Sequence, residues 1–113
     1  MTTPSAITTG SKIALIRIDR NSPLAVITER VLLQSIIHHA KYMPDTMALY
    51  AIFSGNQLVG ALSLDWTPVI KIHEIAGLPR HPLDRGQLKI INAIISLLNG
   101  ERTSNPISLN IVQ

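Results

Sequence analysis

Two adjacent side chains in an otherwise apolar segment are the first candidates for chemistry. His73 and Glu74 lie within Val-Ile-Lys-Ile-His-Glu-Ile-Ala at residues 69–76. Both can accept a proton, and Glu74 is the less expected of the two in an apolar strand because burying a carboxylate is costly. In a regular strand the two side chains face opposite sides, and a solvent-facing Glu74 needs no functional explanation.

A second candidate site lies at the start of a predicted helix near Arg85. The N–H groups of a first helical turn and the positive end of the helix dipole together form an anion site. Arg80, Arg85 and Lys89 would add positive charge around phosphate groups. The alternative is an ordinary capped helix, in which Asp84 already accepts hydrogen bonds from these N–H groups.

The histidines do not form a convincing metal site. His38 and His39 are adjacent near the end of the first predicted helix, so their side chains point about 100° apart. His81 is predicted to lie in a loop. The chain has no cysteine, which excludes disulfides and thiolate ligands, and we predict no metal site.

Composition limits the classes of protein open to this chain. Its 113 residues fit a single domain, and 46% of them are hydrophobic whereas only 15% are charged. So sparsely charged a surface favours a partner that covers part of it. A net charge of +3 with 4% aromatic residues argues against a nucleic-acid interface. Without a signal-peptide pattern or a long apolar run, we expect a cytoplasmic protein that does not enter the membrane.

Local patterns predict the elements that would position these residues. Residues 1–10, rich in Thr and Ser, are predicted to be a disordered leader, and residues 11–113 one α+β domain. The predicted strands are residues 12–19, 47–53, 58–65, 69–76 and 107–112. The predicted helices are residues 22–41 and 84–98, the second starting with a capping box of Asp84 and Gln87. The order β-α-β-β-β-α-β predicts a mostly antiparallel sheet with two main helices packed on it.

Two short motifs give this order a resemblance to a known family. Residues 50–53 and 58–61 (Tyr-Ala-Ile-Phe and Leu-Val-Gly-Ala) are similar to the hairpin of the GCN5-related N-acetyltransferase (GNAT) family. Residues 75–79 (Ile-Ala-Gly-Leu-Pro) and 85–87 (Arg-Gly-Gln) resemble its coenzyme A signature, Ile-Ala-Val-x-Pro leading to Arg-Gly-x-Gly-x-Gly. The resemblance covers residues 12–113 and implies a GNAT-like fold.

The resemblance also implies an activity, the transfer of an acyl group from acetyl-coenzyme A or another acyl-coenzyme A to an amine. Glu74 or His73 would take the proton from the attacking amine. The residues implied to bind coenzyme A are Ile75, Ala76, Arg85, Gly86 and Gln87.

Differences from the family favour a second hypothesis. Leu88 and Ile90 occupy the positions of the signature's second and third glycines, which let backbone amides approach the pyrophosphate. Three more residues than in the signature separate Pro79 from Arg85. The chain also stops before the family's last elements, which usually carry a tyrosine that protonates the leaving thiolate. The alternative is a non-enzymatic protein-binding module, such as a small inhibitor or immunity-type protein, on a GNAT-like scaffold.

The C-terminal segment indicates where a protein partner would bind. Residues 107–113 (Ile-Ser-Leu-Asn-Ile-Val-Gln) carry no charge, and no further element follows to cover them. An uncharged apolar edge strand invites pairing with another chain, so we expect a homodimer or a partner protein at this edge. If the strand lies inside the sheet instead, its backbone is already paired.

Overall fold

One antiparallel sheet with a helix on it organises the chain. A computed structural model describes residues 3–19, 23–26, 46–100 and 109–112. The helix, α1, is Arg85–Leu98, and residues 23–26 form a helical turn. Among these residues the sheet has the spatial order β5-β4-β3-β2-β1-β6. Its strands are β1 (Ala6–Thr9), β2 (Ile13–Arg17), β3 (Met47–Ser54), β4 (Gln57–Asp65), β5 (Lys71–Gly77) and β6 (Leu109–Val112).

The predicted α+β class and antiparallel sheet are confirmed. The predicted hairpin is formed by β3 and β4, whose end residues Ser54 and Gln57 pair across a two-residue turn. Gly55 in that turn has φ +64°, a conformation that glycine adopts without steric cost. Of the first predicted helix, residues 23–26 are helical, and residue 22 and residues 27–41 lie outside the described residues. No helix in the described ranges is long and apolar enough to cross a membrane.

Residues 6–9 form a strand, which corrects the prediction of a disordered leader there. β1 pairs with β2 on one side and with β6 on the other, so it lies inside the sheet. Ile7 pairs with both Leu15 and Ile111, and its side chain is fully buried. The sequence Ala-Ile-Thr-Thr has one large apolar residue and so gives no alternation by which to recognise a strand. Pairing on both sides is what stabilises it.

Hydrogen bonds fix the segment that precedes β1. The buried Tyr50 hydroxyl donates to the Pro4 carbonyl oxygen at 2.8 Å, across the width of β2. The Arg17 backbone N–H donates to the Ser5 carbonyl at 2.8 Å, and its guanidinium donates to the Thr3 carbonyl. Burial raises the pKa of Tyr50 to about 12, although its hydrogen bond with Thr3 and the charge of Arg17 lower it.

The core occupies both faces of the sheet, because successive residues of β3 point alternately to each. One face, which we call the helix face, packs against Ile91 and Ile94 of α1. Its buried side chains include Ile7, Leu15, Tyr50, Ile52, Leu62 and Leu64. The opposite face contacts Leu24 and Ala25 of the helical turn. Its buried apolar side chains among the described residues are Ile18, Leu49, Ala51 and Ala61.

Caps at both ends define α1, and the predicted capping box at its start is confirmed. Asp84 is the N-cap residue, and Asn99 is the C-cap residue. The Asn99 side chain also binds the backbone of Ile70: its Oδ1 accepts from the Ile70 N–H at 2.9 Å, and its Nδ2 donates to the Ile70 carbonyl at 2.7 Å. The C-terminal end of α1 is thereby held beside the start of β5.

Replacing Tyr50 with Phe should destabilise the fold by about 1–3 kcal/mol, because the buried Pro4 carbonyl loses its donor.

The raised pKa of Tyr50 makes the stability of the fold depend on pH. The folded state holds the phenolic proton more tightly than the unfolded state. The contribution that the protonated Tyr50 makes to the free energy of unfolding is therefore fully present below about pH 10. It is lost as the pH rises to about 12, by roughly 2–3 kcal/mol.

Urea unfolding measures both effects over about pH 8 to about pH 12, a range that includes the pKa of a free phenol. The alkaline loss should be smaller in Tyr50→Phe than in the wild type, whereas Tyr42→Phe, at the chain's other tyrosine, should keep it. Equal alkaline losses in the wild type and Tyr50→Phe would contradict the assignment.

Gly60 of β4 lies close against the backbone of β5. A Cβ atom at this position would overlap the carbonyl oxygen of Ala76, which is backbone and cannot rotate away. Gly60→Ala should therefore lower the free energy of unfolding by about 1–3 kcal/mol. Gly10→Ala is the matched control, because a Cβ there would meet no atom within 4 Å. Thermal or urea unfolding of the two variants compares them, and equal stability would show that the strands separate easily.

Candidate functional site

β5 contains a bulge at the first candidate site. Ser63 of β4 pairs with Glu74, but the next residue, Leu64, pairs with Ile72. His73 is therefore an extra residue in β5, which is the arrangement of a β-bulge. The Glu74 backbone N–H donates to the Ser63 hydroxyl oxygen at 3.2 Å, so the bulge also supplies a partner for a fully buried hydroxyl.

The bulge brings together two side chains that a regular strand would separate. His73 Nε2 lies 3.8 Å from Glu74 Oε1, a proximity that the regular alternation of a strand does not predict. The contact is an ion pair only while the imidazole is protonated. The two side chains are 52% and 39% exposed, respectively, and water therefore reaches both. Either group can take up a proton from a molecule bound at this edge of the sheet.

The residues predicted to bind coenzyme A lie at the end of β5 and the start of α1. Ile75 packs with the core of the helix face, whereas Ala76 packs on the opposite face. The loop after β5 folds back onto it. A Cβ atom on Gly77 would lie 2.7 Å from the Leu83 nitrogen and 2.9 Å from Pro82 Cα. Pro82 and Leu83 therefore occupy the space directly beside the end of the strand.

The N-terminal end of α1 carries the capping box rather than an open anion site. Asp84 Oδ1 accepts from the Gln87 N–H at 2.7 Å, and Gln87 Oε1 accepts from the Asp84 N–H at 3.0 Å. The Gln87 side chain is thus committed to the cap. Arg85 and Gly86 are exposed, but the Asp84 carboxylate puts a negative charge where a phosphate would meet the helix. This arrangement matches the ordinary capped helix considered from the sequence.

The described histidines and acidic residues do not gather around a metal. Among the described residues there is no group of three or more His, Asp or Glu side chains that could hold an ion. His81 is exposed and its backbone N–H donates to the Leu78 carbonyl at 3.2 Å. His38 and His39 lie outside the described residues.

Trp66, which directly follows β4, has a buried indole N–H with no hydrogen-bond partner among the described residues. Its ring packs at the edge of the helix-face core, with the ring centroid 6.4 Å from that of Tyr50.

The sequence did not identify Tyr50 and Ser63 as residues that position other parts of the chain. Neither positioning role has a local sequence signal, because each side chain acts through a contact with another part of the chain.

The two edges of the described sheet differ in the regularity of their pairing and in their charge. β5 is bulged at His73 and carries Lys71 and Glu74, features that hinder the addition of another strand. β6 pairs with β1 in regular register over four residues, from Thr9 with Leu109 to Ala6 with Val112. Its sequence Leu-Asn-Ile-Val has no charge. Residues 107 and 108 of the predicted strand lie outside the described residues.

The capping box should contribute measurably to stability. Asp84→Ala should lower the free energy of unfolding by about 1 kcal/mol, because the Gln87 N–H loses its acceptor at the exposed helix end. Asp84→Asn is the matched control, since an asparagine oxygen can accept the same hydrogen bond without the charge. Urea unfolding at neutral pH compares the two. An Asp84→Ala variant as stable as the wild type would show that the cap does not contribute to the free energy of unfolding.

Comparisons with known proteins assign no family to the chain. No family model, no curated protein and no solved structure matches it. The resemblance to the GNAT family therefore stays a prediction from the motif residues at 50–61 and 75–87.

Proposed function

We propose that this chain is a non-enzymatic protein-binding module that joins a partner by adding a strand to its sheet. The observation that carries this function is the contrast between the two edges of the described sheet. β5 is bulged and charged, whereas β6 is regular and uncharged. Proteins that must avoid strand addition protect their edges with bulges and charges, so an unprotected edge favours pairing.

Strand addition needs little from the side chains. The hydrogen bonds run between backbone N–H and C=O groups, and alternate side chains of the added strand supply specificity. Among the described strands, β6 has a neighbour on one side only, and that neighbour, β1, holds it in a regular antiparallel ladder. The other side of β6 is the proposed binding edge.

The start of α1 supports this function over phosphate binding. The Asp84 carboxylate lies at the positive end of the helix dipole and repels a phosphate there. Pro82 and Leu83 fill the space beside Gly77, in the segment that resembles the coenzyme A signature. Leu88 and Ile90 add bulk where the GNAT signature has glycines.

A minimal or degenerate GNAT-like acyltransferase is the second candidate. The bulge favours it, because it places His73 and Glu74 side by side on the strand that leads to Arg85. An acyl-coenzyme A bound by Arg85, Gly86 and Gln87 would then meet an amine whose proton Glu74 or His73 accepts. This function requires the Asp84–Gln87 cap to rearrange, since the cap already uses the Gln87 side chain and N–H.

Isothermal titration with acetyl-coenzyme A separates the two functions. We expect no heat of binding up to millimolar ligand, because Asp84 repels the phosphates. The matched variants are Arg85→Glu, which reverses a positive charge, and Asp84→Asn, which removes the negative charge and keeps the cap.

Micromolar binding by the wild type, weakened by Arg85→Glu and strengthened by Asp84→Asn, would overturn the protein-binding function and establish the acyl-coenzyme A site. Heat that neither variant changes would indicate a ligand site elsewhere on the protein and would also contradict the proposed function. Circular dichroism of each sample confirms that the protein titrated is folded.

A further inference from the structure

Three connections between elements meet at one end of the sheet. The turn from β1 to β2, residues 10–12, contacts the turn from β3 to β4, because the Gly55 N–H donates to the Lys12 carbonyl at 2.9 Å. Gly60, near the start of β4, pairs with Gly77 at the end of β5, so the loop from β5 to α1 leaves the sheet at the same end. We call these two turns, that loop (residues 78–84) and residues 85–89 of α1 the loop end.

Positive charge is concentrated at the loop end. It carries four exposed cationic side chains against the single carboxylate of Asp84, a formal charge of +3: Lys12, Arg80, Arg85 and Lys89. At the opposite end of the described sheet two cations and two carboxylates balance: Arg17, Lys71, Asp19 and Asp65. The fold therefore gathers at one end cations that are spread along the sequence.

The four cations of the loop end are available to a ligand. The ion pairs among the described residues are Arg17 with Asp19 and His73 with Glu74, and neither uses a cation of the loop end. Arg85 and Lys89 are four residues apart on α1, so they share one side of the helix. The Asp84 carboxylate bars an anion from the N–H groups of α1, and the cationic side chains alone would hold it.

The spread of these cations suits a chain of phosphates. Lys12 directly precedes β2 and Arg80 follows β5, and these strands are three positions apart in the sheet, about 14 Å at the usual strand spacing. A single phosphate group cannot reach both, whereas a duplex carries one phosphate charge for about every 1.7 Å of its axis. We propose that the loop end binds the phosphate backbone of a double-stranded nucleic acid, a function additional to strand addition at β6.

The other side chains of the loop end favour a nucleic acid over an acidic protein. Ser11, Asn56 and the neighbouring Gln57 are exposed there, and hydroxyl and amide groups commonly hydrogen-bond phosphate oxygens. The core of a protein interface is apolar and poor in lysine. The large hydrophobic side chains exposed in the described ranges, Val26 and Val69, lie outside the loop end. Binding to a lipid surface would need an apolar anchor as well.

A duplex fits better than a single strand. Single strands are bound largely by stacking their bases on aromatic side chains. The described aromatic residues are Tyr50, Phe53 and Trp66, and none of them is exposed. The low aromatic content that argues against a nucleic-acid interface in the sequence therefore weighs against base stacking, whereas contact with a duplex backbone needs no aromatic side chain. Backbone contacts carry no sequence information, so we expect binding without sequence preference.

Fluorescence anisotropy of a short labelled DNA duplex measures this binding. Between about 50 mM and about 200 mM salt, the affinity should fall about 40- to 150-fold, the loss expected when three or four phosphate contacts release counterions. An RNA duplex of the same sequence distinguishes the two sources of a phosphate backbone, and the tighter of the two identifies the ligand.

A matched pair of lysine variants locates the site. Lys12→Gln should weaken binding several-fold at low salt and lower the slope of log affinity against log salt by about one, because one phosphate contact is lost. Lys71→Gln removes the same charge from an exposed lysine at the opposite end and should bind as the wild type does. Arg80→Gln is a second loop-end variant that should repeat the effect of Lys12→Gln, and circular dichroism confirms that each sample is folded.

The absence of duplex binding at low salt overturns the proposal. Equal losses in Lys12→Gln and Lys71→Gln also overturn it, because the attraction would then depend on net charge alone. Tighter binding of poly-glutamate than of the duplex would indicate an acidic protein partner instead. Tighter binding of single-stranded DNA, or of vesicles containing phosphatidylserine, would contradict the proposed duplex in the same way.

Discussion

The pairing of β1 with strands on both its sides is the constraint on which the rest of the sheet depends. β2 through β5 follow one another as sequential neighbours, but β6 is joined to them only through β1. The Tyr50 hydroxyl and Arg17 fix the segment before β1 and so set its position. If β1 were displaced, β6 would lose its described neighbour and the proposed binding edge would disappear with it.

The sequence predicts elements whose causes are local. The β3–β4 hairpin follows from two β-type runs around Gly55 and Asn56, and α1 follows from Asp84, Gln87 and an apolar stripe. Each of these signals lies within a few residues of the structure it produces. For the same reason, both alternatives for the start of α1, a capped helix and an anion site, can be stated from the residues around Asp84 alone.

Elements that depend on distant pairing could not be predicted in the same way. β1 has a single large apolar residue, and the turn at Thr9, Gly10 and Ser11 that leads into β2 was its only local sign. The bulge at His73 is equally hidden, because it depends on how β4 and β5 register against each other. Regular alternation separates His73 from Glu74, so their proximity could not be foreseen.

The pairing of β1 with β6 also has a consequence for the order of folding. Thr9 and Leu109 are partners 109 − 9 = 100 positions apart, and closing so long a loop costs about 4 kcal/mol of chain entropy. The β3–β4 hairpin closes over two residues and can form early. During synthesis β1 presents an open edge until residues 109–112 emerge. That interval lets the β6 strand of a neighbouring copy take the same place, so strand exchange between copies competes with correct closure.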